Sequence, residues 1–316
     1  MFTFIIRRLL QTIPVLLGVT VLVFLLMHLI PGNPAQIMAG ESASPEQVAA
    51  LEERLGLNDP LPVQYFTYIS NLVQLDMGDS IRNSRPVVDL IMPRVAVTIE
   101  LTVYSTILSI FMGLIVGIIA ATKRGTLVDS SLMVVALFGL SMPNFWLGLL
   151  LIQWFALGNL PWIGSFLDTA WFVPSGWGNF DQIVLPVFML GVGGAAIIAR
   201  MTRSSMLDVI GSDYIRTARA KGVKERYVIY QHALKNALIP VITVTGLQFG
   251  TLLGGAVLAE SVFAINGMGR LILDAILQRD FPVMQGGILV ASLLFVLVNL
   301  LVDIAYRLVN KRVETN

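Results

Sequence analysis

Charge is scarce in this chain of 316 residues. Asp, Glu, Lys and Arg make up 13%, apolar residues reach 56%, and mean hydropathy is +0.79. Soluble domains carry about 25% charged residues. Cysteine is absent, which excludes a disulfide framework, a thiolate metal site and a cysteine nucleophile. The two histidines, His28 and His232, are too few and too far apart for a metal centre. His-Glu-x-x-His and Gly-x-Ser-x-Gly are missing, and no plausible nucleophile–base pair lies in the apolar stretches. Gly-x-x-x-x-Gly-Lys-Ser/Thr is missing too, so the chain does not cradle a nucleotide phosphate by that mechanism.

What is present is long apolar sequence. Six stretches approach or exceed the about 20 residues that cross a bilayer: Leu9–Ile30, Leu101–Ala121, Leu132–Leu157, Ile183–Ala199, Ala237–Ala259 and Val283–Val302. The third is interrupted by Pro143, which predicts a kink or tilt; the fourth is short and glycine-rich. The first follows Arg7 and Arg8 and has no small-residue cleavage site, so it reads as a retained span rather than a removed signal peptide. Near the spans, Glu100, Asp129, Glu260 and Asp303 all sit at or close to ends. Proton-coupled transporters and voltage sensors place charge at depth, so neither class fits. Neutral groups remain inside: Ser109, Ser141, Asn144, Gln248 and Thr251. They can hydrogen-bond a passing solute or join helices to each other. Gly246, Gly250 and Gly254 form a small-residue strip for close helix packing or a pore-lining face. Gly191, Gly193, Gly194, Ala195 and Ala196 do the same in the fourth span.

Lys and Arg near span ends set orientation. With the N-terminus inside, fifteen of the 21 basic residues fall on inner segments and six on outer ones (Arg54, Arg82, Arg85, Arg94, Arg270 and Arg279). Both termini are expected in the cytoplasm. The first outer segment, residues 31–100, holds two expected helices. Ser44-Pro45-Glu46-Gln47 reads as an N-cap, a first-position proline and a capping-box glutamine, with Gly56 as the stop. Tyr65, Phe66, Ile69, Leu72 and Val73 mark the second. These helices fit a membrane surface, an external partner, or a cap over the bundle.

Residues 200–236 hold eight basic and three acidic residues, a surplus of five positive charges. Ser212 is an expected N-cap for a helix from about Asp213 to Lys221, and Gly222 can close it in the left-handed conformation. Tyr214, Ile215 and Ala218 fall on one face, with Arg216 and Arg219 beside it. Small residues at 218, 220 and 222 would let a partner approach the backbone. Charge alone fits equally a loop held by anionic lipid headgroups.

Particular motifs go further: Met201-Thr-Arg-Ser-Ser205, Asp213-Tyr-Ile-Arg-Thr-Ala-Arg-Ala-Lys-Gly222, His232-Ala-Leu-Lys-Asn-Ala-Leu-Ile-Pro240 and Arg279-Asp-Phe-Pro-Val283. Pro31-Gly-Asn-Pro34, Ser141-Met-Pro143 and Asn299-Leu-Leu-Val-Asp303 add to them. Together the chain resembles the integral-membrane permease subunit of a bacterial ATP-binding-cassette importer, in the dipeptide, oligopeptide, nickel and glutathione branch. Arg216-Thr-Ala218 stands where the general loop pattern of such importers has Glu-Ala-Ala, and His232-Ala-Leu-Lys235 where it has Ile-x-Leu-Pro. Asn266 stands where the branch usually has proline before glycine.

The resemblance implies an all-α polytopic fold with six transmembrane helices, the type I importer permease fold. Residues 1–100 would hold the first span and the outer helices, residues 101–307 a five-helix core with the loop 200–236, and residues 308–316 a cytoplasmic tail. It implies a multi-pass protein of the bacterial inner membrane, a homologous permease partner, two ATP-binding subunits carrying ATP and Mg, and an external binding protein. Lipid would surround it, and nucleic acid has no part. Asp213, Tyr214, Arg216, Thr217, Ala218, Arg219, Ala220, Lys221 and Gly222 would form the ATPase-coupling contact. Short peptides are the expected substrate, with nickel or glutathione as the rival and a membrane enzyme or free-standing channel as distant alternatives.

Overall fold

The computed structural model describes residues 2–29, 32–40, 43–159 and 170–309. The expectations for Ile30, Pro31 and the tail beyond residue 309 lie outside the described residues. Among the described residues the protein is helical apart from one isolated antiparallel bridge, Asp79–Pro86. In order come α1 (Phe2–Leu29), α2 (Pro34–Ala39), α3 (Pro45–Arg54), α4 (Leu61–Val73), α5 (Val87–Thr122), α6 (Leu127–Ser141) and α7 (Asn144–Leu151). After these come α8 (Phe180–Ile210), α9 (Asp213–Ala220), α10 (Glu225–Tyr227), α11 (Leu234–Val262), α12 (Met268–Gln278) and α13 (Phe281–Val309). One π-helical turn extends α7 over Ile152–Ala156, and another, Val228–Ala233, joins α10 to α11.

Among the described residues, five stretches are long and apolar enough to cross a membrane: Ile6–Leu29, Val87–Thr122, Phe180–Ile210, Glu225–Gly254 and Phe281–Ile304. A sixth is reached only by counting as one span a bent pair, Leu127–Ser141 with Asn144–Ala156, whose halves meet at 99°. The predicted kink at Pro143 is therefore a full break. A residue before proline is driven out of the α region, and Met142 is extended at φ −77°, ψ 127°, followed by Pro143 at ψ 126°. The fourth span departs from its expectation of shortness. It runs 31 residues and starts with a capping box between Asn179 and Gln182. Its apolar window is 61% buried, against 12–28% for the other four unbroken spans.

The chain forms two compact units, Met1–Val97 with Gly267–Val296, and Thr98–Asn266 with Leu297–Asn316. In the first, Val87, Leu90 and Ile91 of α5 pack with Met268 and Ala275 of α12 and Phe281, Val283 and Met284 of α13. The motif Arg279-Asp-Phe-Pro-Val283 is a joint within this unit. Buried Asp280 accepts from Ser80 Oγ at 2.5 Å and the Ile81 amide at 3.2 Å, while the Arg82 guanidinium donates to the Gln278 carbonyl at 3.0 Å. The capping box expected at Ser44 is formed: the Gln47 amide donates to Ser44 Oγ, and the Ser44 amide to Gln47 Oε1. A cavity of about 200 Å³ lies among Met27, Met38, Tyr68, Leu72, Met77 and Leu289.

In the second unit α8 packs against α6, α7 and α11. Its meeting with α5 is close because small residues face each other. A β-carbon at Gly113 would lie 2.6 Å from Ile198, one at Gly117 2.6 Å from Thr202, and one at Gly194 2.5 Å from Ser109 Oγ. Ser109 Oγ also donates to the Gly191 carbonyl at 2.8 Å. Within lipid, van der Waals contact is a main force between helices, so this row locks α5 to α8.

Candidate coupling helix

The most elaborately held polar segment is α9. Its start is extended at Ser212 (φ −76°, ψ 156°), as an N-cap requires, but the hydroxyl donates back to Val209 O at 2.6 Å rather than capping the helix. Its end is the expected left-handed stop. Gly222 has φ +76°; its amide donates to Arg219 O at 2.9 Å and the Val223 amide to Ala218 O at 3.2 Å. That pair of bonds is a Schellman closure, which satisfies carbonyls the helix would leave bare.

Three groups of contacts fix α9 in the second unit. Ile215 is fully buried with Ala121, Met206, Val228, Ala233 and Ala237. Asn236 Nδ2 donates to Tyr214 Oη at 2.8 Å and to the His232 carbonyl at 3.2 Å. Arg219 makes a two-point ion pair with Glu225, Nε to Oε2 at 3.1 Å and Nη2 to Oε1 at 2.6 Å. That hydrogen bond raises the guanidinium above its ordinary value and keeps it charged. Arg216 pairs with Asp213 at 2.6 Å, and Thr217 Oγ1 donates to Asp213 O at 3.0 Å.

Of the residues expected to meet a partner, Ala218 is half-buried and also faces inward. Ala218 packs against the same buried cluster as Ile215, three residues before it on the helix, so its small size serves this chain's own core. The exposed residues of α9 are Asp213, Tyr214, Arg216, Thr217, Arg219 and Ala220, with Lys221 and Gly222 exposed at its edge. Two anchors were not singled out from sequence. Asn236 lies inside a quoted motif, but its bond to Tyr214 crosses 22 positions. Arg203 holds Asp129 through Nε–Oδ1 at 2.6 Å and Nη2–Oδ2 at 2.8 Å, while the Gly125 amide also donates to Oδ2.

The other candidates lie elsewhere. Ser141 and Asn144 flank the Met142–Pro143 break and are exposed, with Ser141 Oγ donating to Leu137 O at 3.0 Å. A β-carbon on Gly193 would lie 3.5 Å from Asn144 Oδ1, so α8 faces this break. Gln248 is half-buried on α11. The α11 glycine strip is not uniform. Gly246 is buried with Val302 where its β-carbon would stand, Gly250 is buried, and Gly254 is exposed with nothing near.

Among the described residues the chain is helical, with five or six candidate spans and a short helix docked on their ends, the architecture of a polytopic membrane protein. Family models agree. That of the binding-protein-dependent transport system inner membrane component matches residues 113–315, and the N-terminal model of the same systems matches residues 1–102. The chain belongs to this family, the permease subunits of ABC importers, in its peptide and nickel branch. It is 48% identical over 336 residues to the dipeptide transport system permease protein DppB of Alkalihalophilus pseudofirmus, covering 99% of this chain and 100% of that one. It is 45% identical over 316 residues to the glutathione transport system permease protein GsiC of Escherichia coli K12, covering 99% of each. Its fold is similar to that of the inward-facing MetNI methionine ABC transporter, with TM-score 0.57 and 21% identity over 70% of this chain and 96% of that one. Members of this family are inner-membrane transport components, not enzymes, and work with ATP-binding subunits and a substrate-binding protein.

Proposed function

We propose that this chain forms half of an ATP-driven import path for short peptides, with α9 as the contact that receives the ATPase. The observation that carries this is the mounting of α9: a buried Ile215, a Schellman closure at Gly222 and side-chain bonds to Asn236 leave one face free and the other immobile. A helix held this way passes on displacement, whereas a tethered loop would absorb it. ATP and Mg would be bound on two partner subunits, a homologous permease would complete the path, and an external protein would deliver substrate. Both termini would face the cytoplasm, which follows from the basic residues concentrated on that side.

The Met142–Pro143 break supports a path beside α6 and α7. Interrupted helix in a membrane is tolerated only where protein or water receives its polar groups, and exposed Ser141 and Asn144 supply such groups there. Glutathione is the second reading, because a glutathione permease is nearly as similar as a dipeptide permease. The test is reconstitution with both ATPases and the binding protein. Substrate-loaded binding protein should stimulate ATP hydrolysis, and Ala220→Glu should abolish that response while the complex still inserts. Undiminished stimulation in Ala220→Glu would refute the α9 contact. A ligand screen on the binding protein decides between dipeptides and glutathione.

A further inference from the structure

We propose that α4 is not in water. It lies embedded in the membrane leaflet at the C-terminal end of α1, with its outward face covered by lipid acyl chains. The first observation is depth. The apolar run of α1 between Arg8 and His28, Leu9–Met27, is 19 residues long, about 28 Å of helix, which matches a hydrocarbon core of about 30 Å. Thr20 sits seven residues before Met27, so it lies about 10 Å inside that core. Thr20 Oγ1 and Tyr65 Oη of α4 share a hydrogen bond at 2.8 Å. Phe24 meets Tyr65 edge-on at 5.4 Å and Tyr68 at 6.1 Å between ring centres. Only at His28, whose ring hydrogen-bonds Gln64 at 3.1 Å, do the contacts reach the end of the span. The contact series places α4 along the upper turns of α1, not above them.

The second observation is composition. α4 carries no charged residue. While Tyr65 and Tyr68 face α1, the opposite side presents Val63, Phe66 and Val73, with Phe66 74% and Val73 79% exposed. The same exposed surface holds the neutral Thr67 and Asn71, and a helix with this much exposed apolar area and no charge belongs in largely apolar surroundings. On α1 itself Leu22, Leu25 and Leu29 are exposed as well. By contrast α3 carries Glu46, Glu52, Glu53 and Arg54, as a helix in water would. Deep polar groups need partners: Thr20 Oγ1 donates to the Leu17 carbonyl at 2.8 Å and shares its other bond with Tyr65, whereas the buried Tyr68 hydroxyl has no partner among the described residues.

The chain has no cysteine, so single-cysteine variants report without background in this subunit. In intact cells, Phe66→Cys and Val73→Cys should react with a membrane-impermeant maleimide about tenfold more slowly than Glu53→Cys, because a thiol in apolar surroundings stays protonated. All three should react equally after denaturation in dodecyl sulfate, which controls for expression. Benzoylphenylalanine at position 66 should crosslink to lipid on irradiation. Labelling of both cysteines at the Glu53→Cys rate would overturn the proposal, and so would a protein adduct at position 66, which would show a partner chain covering this face. If Glu53→Cys reacts only from the other side of the membrane, the orientation reverses and the same rate comparison is made there.

Discussion

Ile215→Ala tests the mounting of α9 directly. Ile215 is wholly buried among Ala121, Met206, Val228, Ala233 and Ala237. Truncating a buried isoleucine to alanine costs about 2–5 kcal/mol through lost transfer energy and the cavity left behind. The site lies at the edge of the helical unit and can partly collapse, so about 3 kcal/mol is a fair central value. An eight-residue helix has no stability of its own, so this loss falls on the equilibrium between docked and undocked α9 rather than on the spans. At about 1.4 kcal/mol per factor of ten, the undocked population rises roughly a hundredfold. Amide hydrogen exchange reads that population, because local opening is what exposes these amides. The amides of Lys221, Gly222 and Val223, which close α9 onto Thr217, Arg219 and Ala218, should exchange about a hundredfold faster. Those of α8 between Leu185 and Ala199 should not change. Transport should fall while subunit assembly persists. Unchanged exchange at the closing amides would refute the claim that Ile215 anchors α9.

Gly222→Val forces a β-branched side chain to φ +76° and should lose most transport, whereas Gly222→Asn, which tolerates that region, should retain most of it in a vesicle uptake assay. Gly194→Val places its β-carbon 2.5 Å from Ser109 Oγ and should destabilise the α5–α8 contact by about 1–3 kcal/mol, seen as reduced yield and a lower detergent melting temperature; Gly254→Val, with nothing near, should not. Topology reporters at Ser84 and Ser175 should read external and one at Gly211 internal, and a cytoplasmic Ser84 would overturn the orientation. Purified without ATPase subunits, the chain should hydrolyse no ATP in a phosphate-release assay.

Much of this molecule was legible because its determinants are local. Apolar length located five unbroken spans, Ser44 with Gln47 announced a capping box, and a glycine at 222 announced a left-handed stop. The misjudged elements depend on what lies across from them. Composition marked the fourth span as short, because Arg200, Arg203 and Asp208 end the apolar run; the helix continues to Ile210 because Arg203 pairs with Asp129, 74 positions earlier. Pro143 announced a disturbance, but periodicity could not say whether the chain bends or turns by 99°. The proposal of α9 as the coupling segment came from motifs in a shared order, since its charge fits a lipid-bound loop equally well.

The buried cluster beneath α9 gives these parts a common logic. Ala121 ends α5, Met206 lies in the last turns of α8, and Ala237 lies in the first turn of α11, and all three pack with Ile215. A displacement applied to α9 therefore meets three helix ends at once. Two of those helices are locked along their length, since Gly113 and Gly117 of α5 leave room only for Ile198 and Thr202 of α8. α5 and α8 must then move as one body, because opening a gap between them would forfeit close contacts over several turns. The broken pair α6 and α7 packs on that body through α8, yet its own backbone is interrupted at Met142–Pro143. If α9 receives the proposed push and the path runs beside α6 and α7, stiffness is needed between the push and the path, and compliance at the path itself. The glycine row and the Ile215 anchor supply the first, and the 99° break supplies the second.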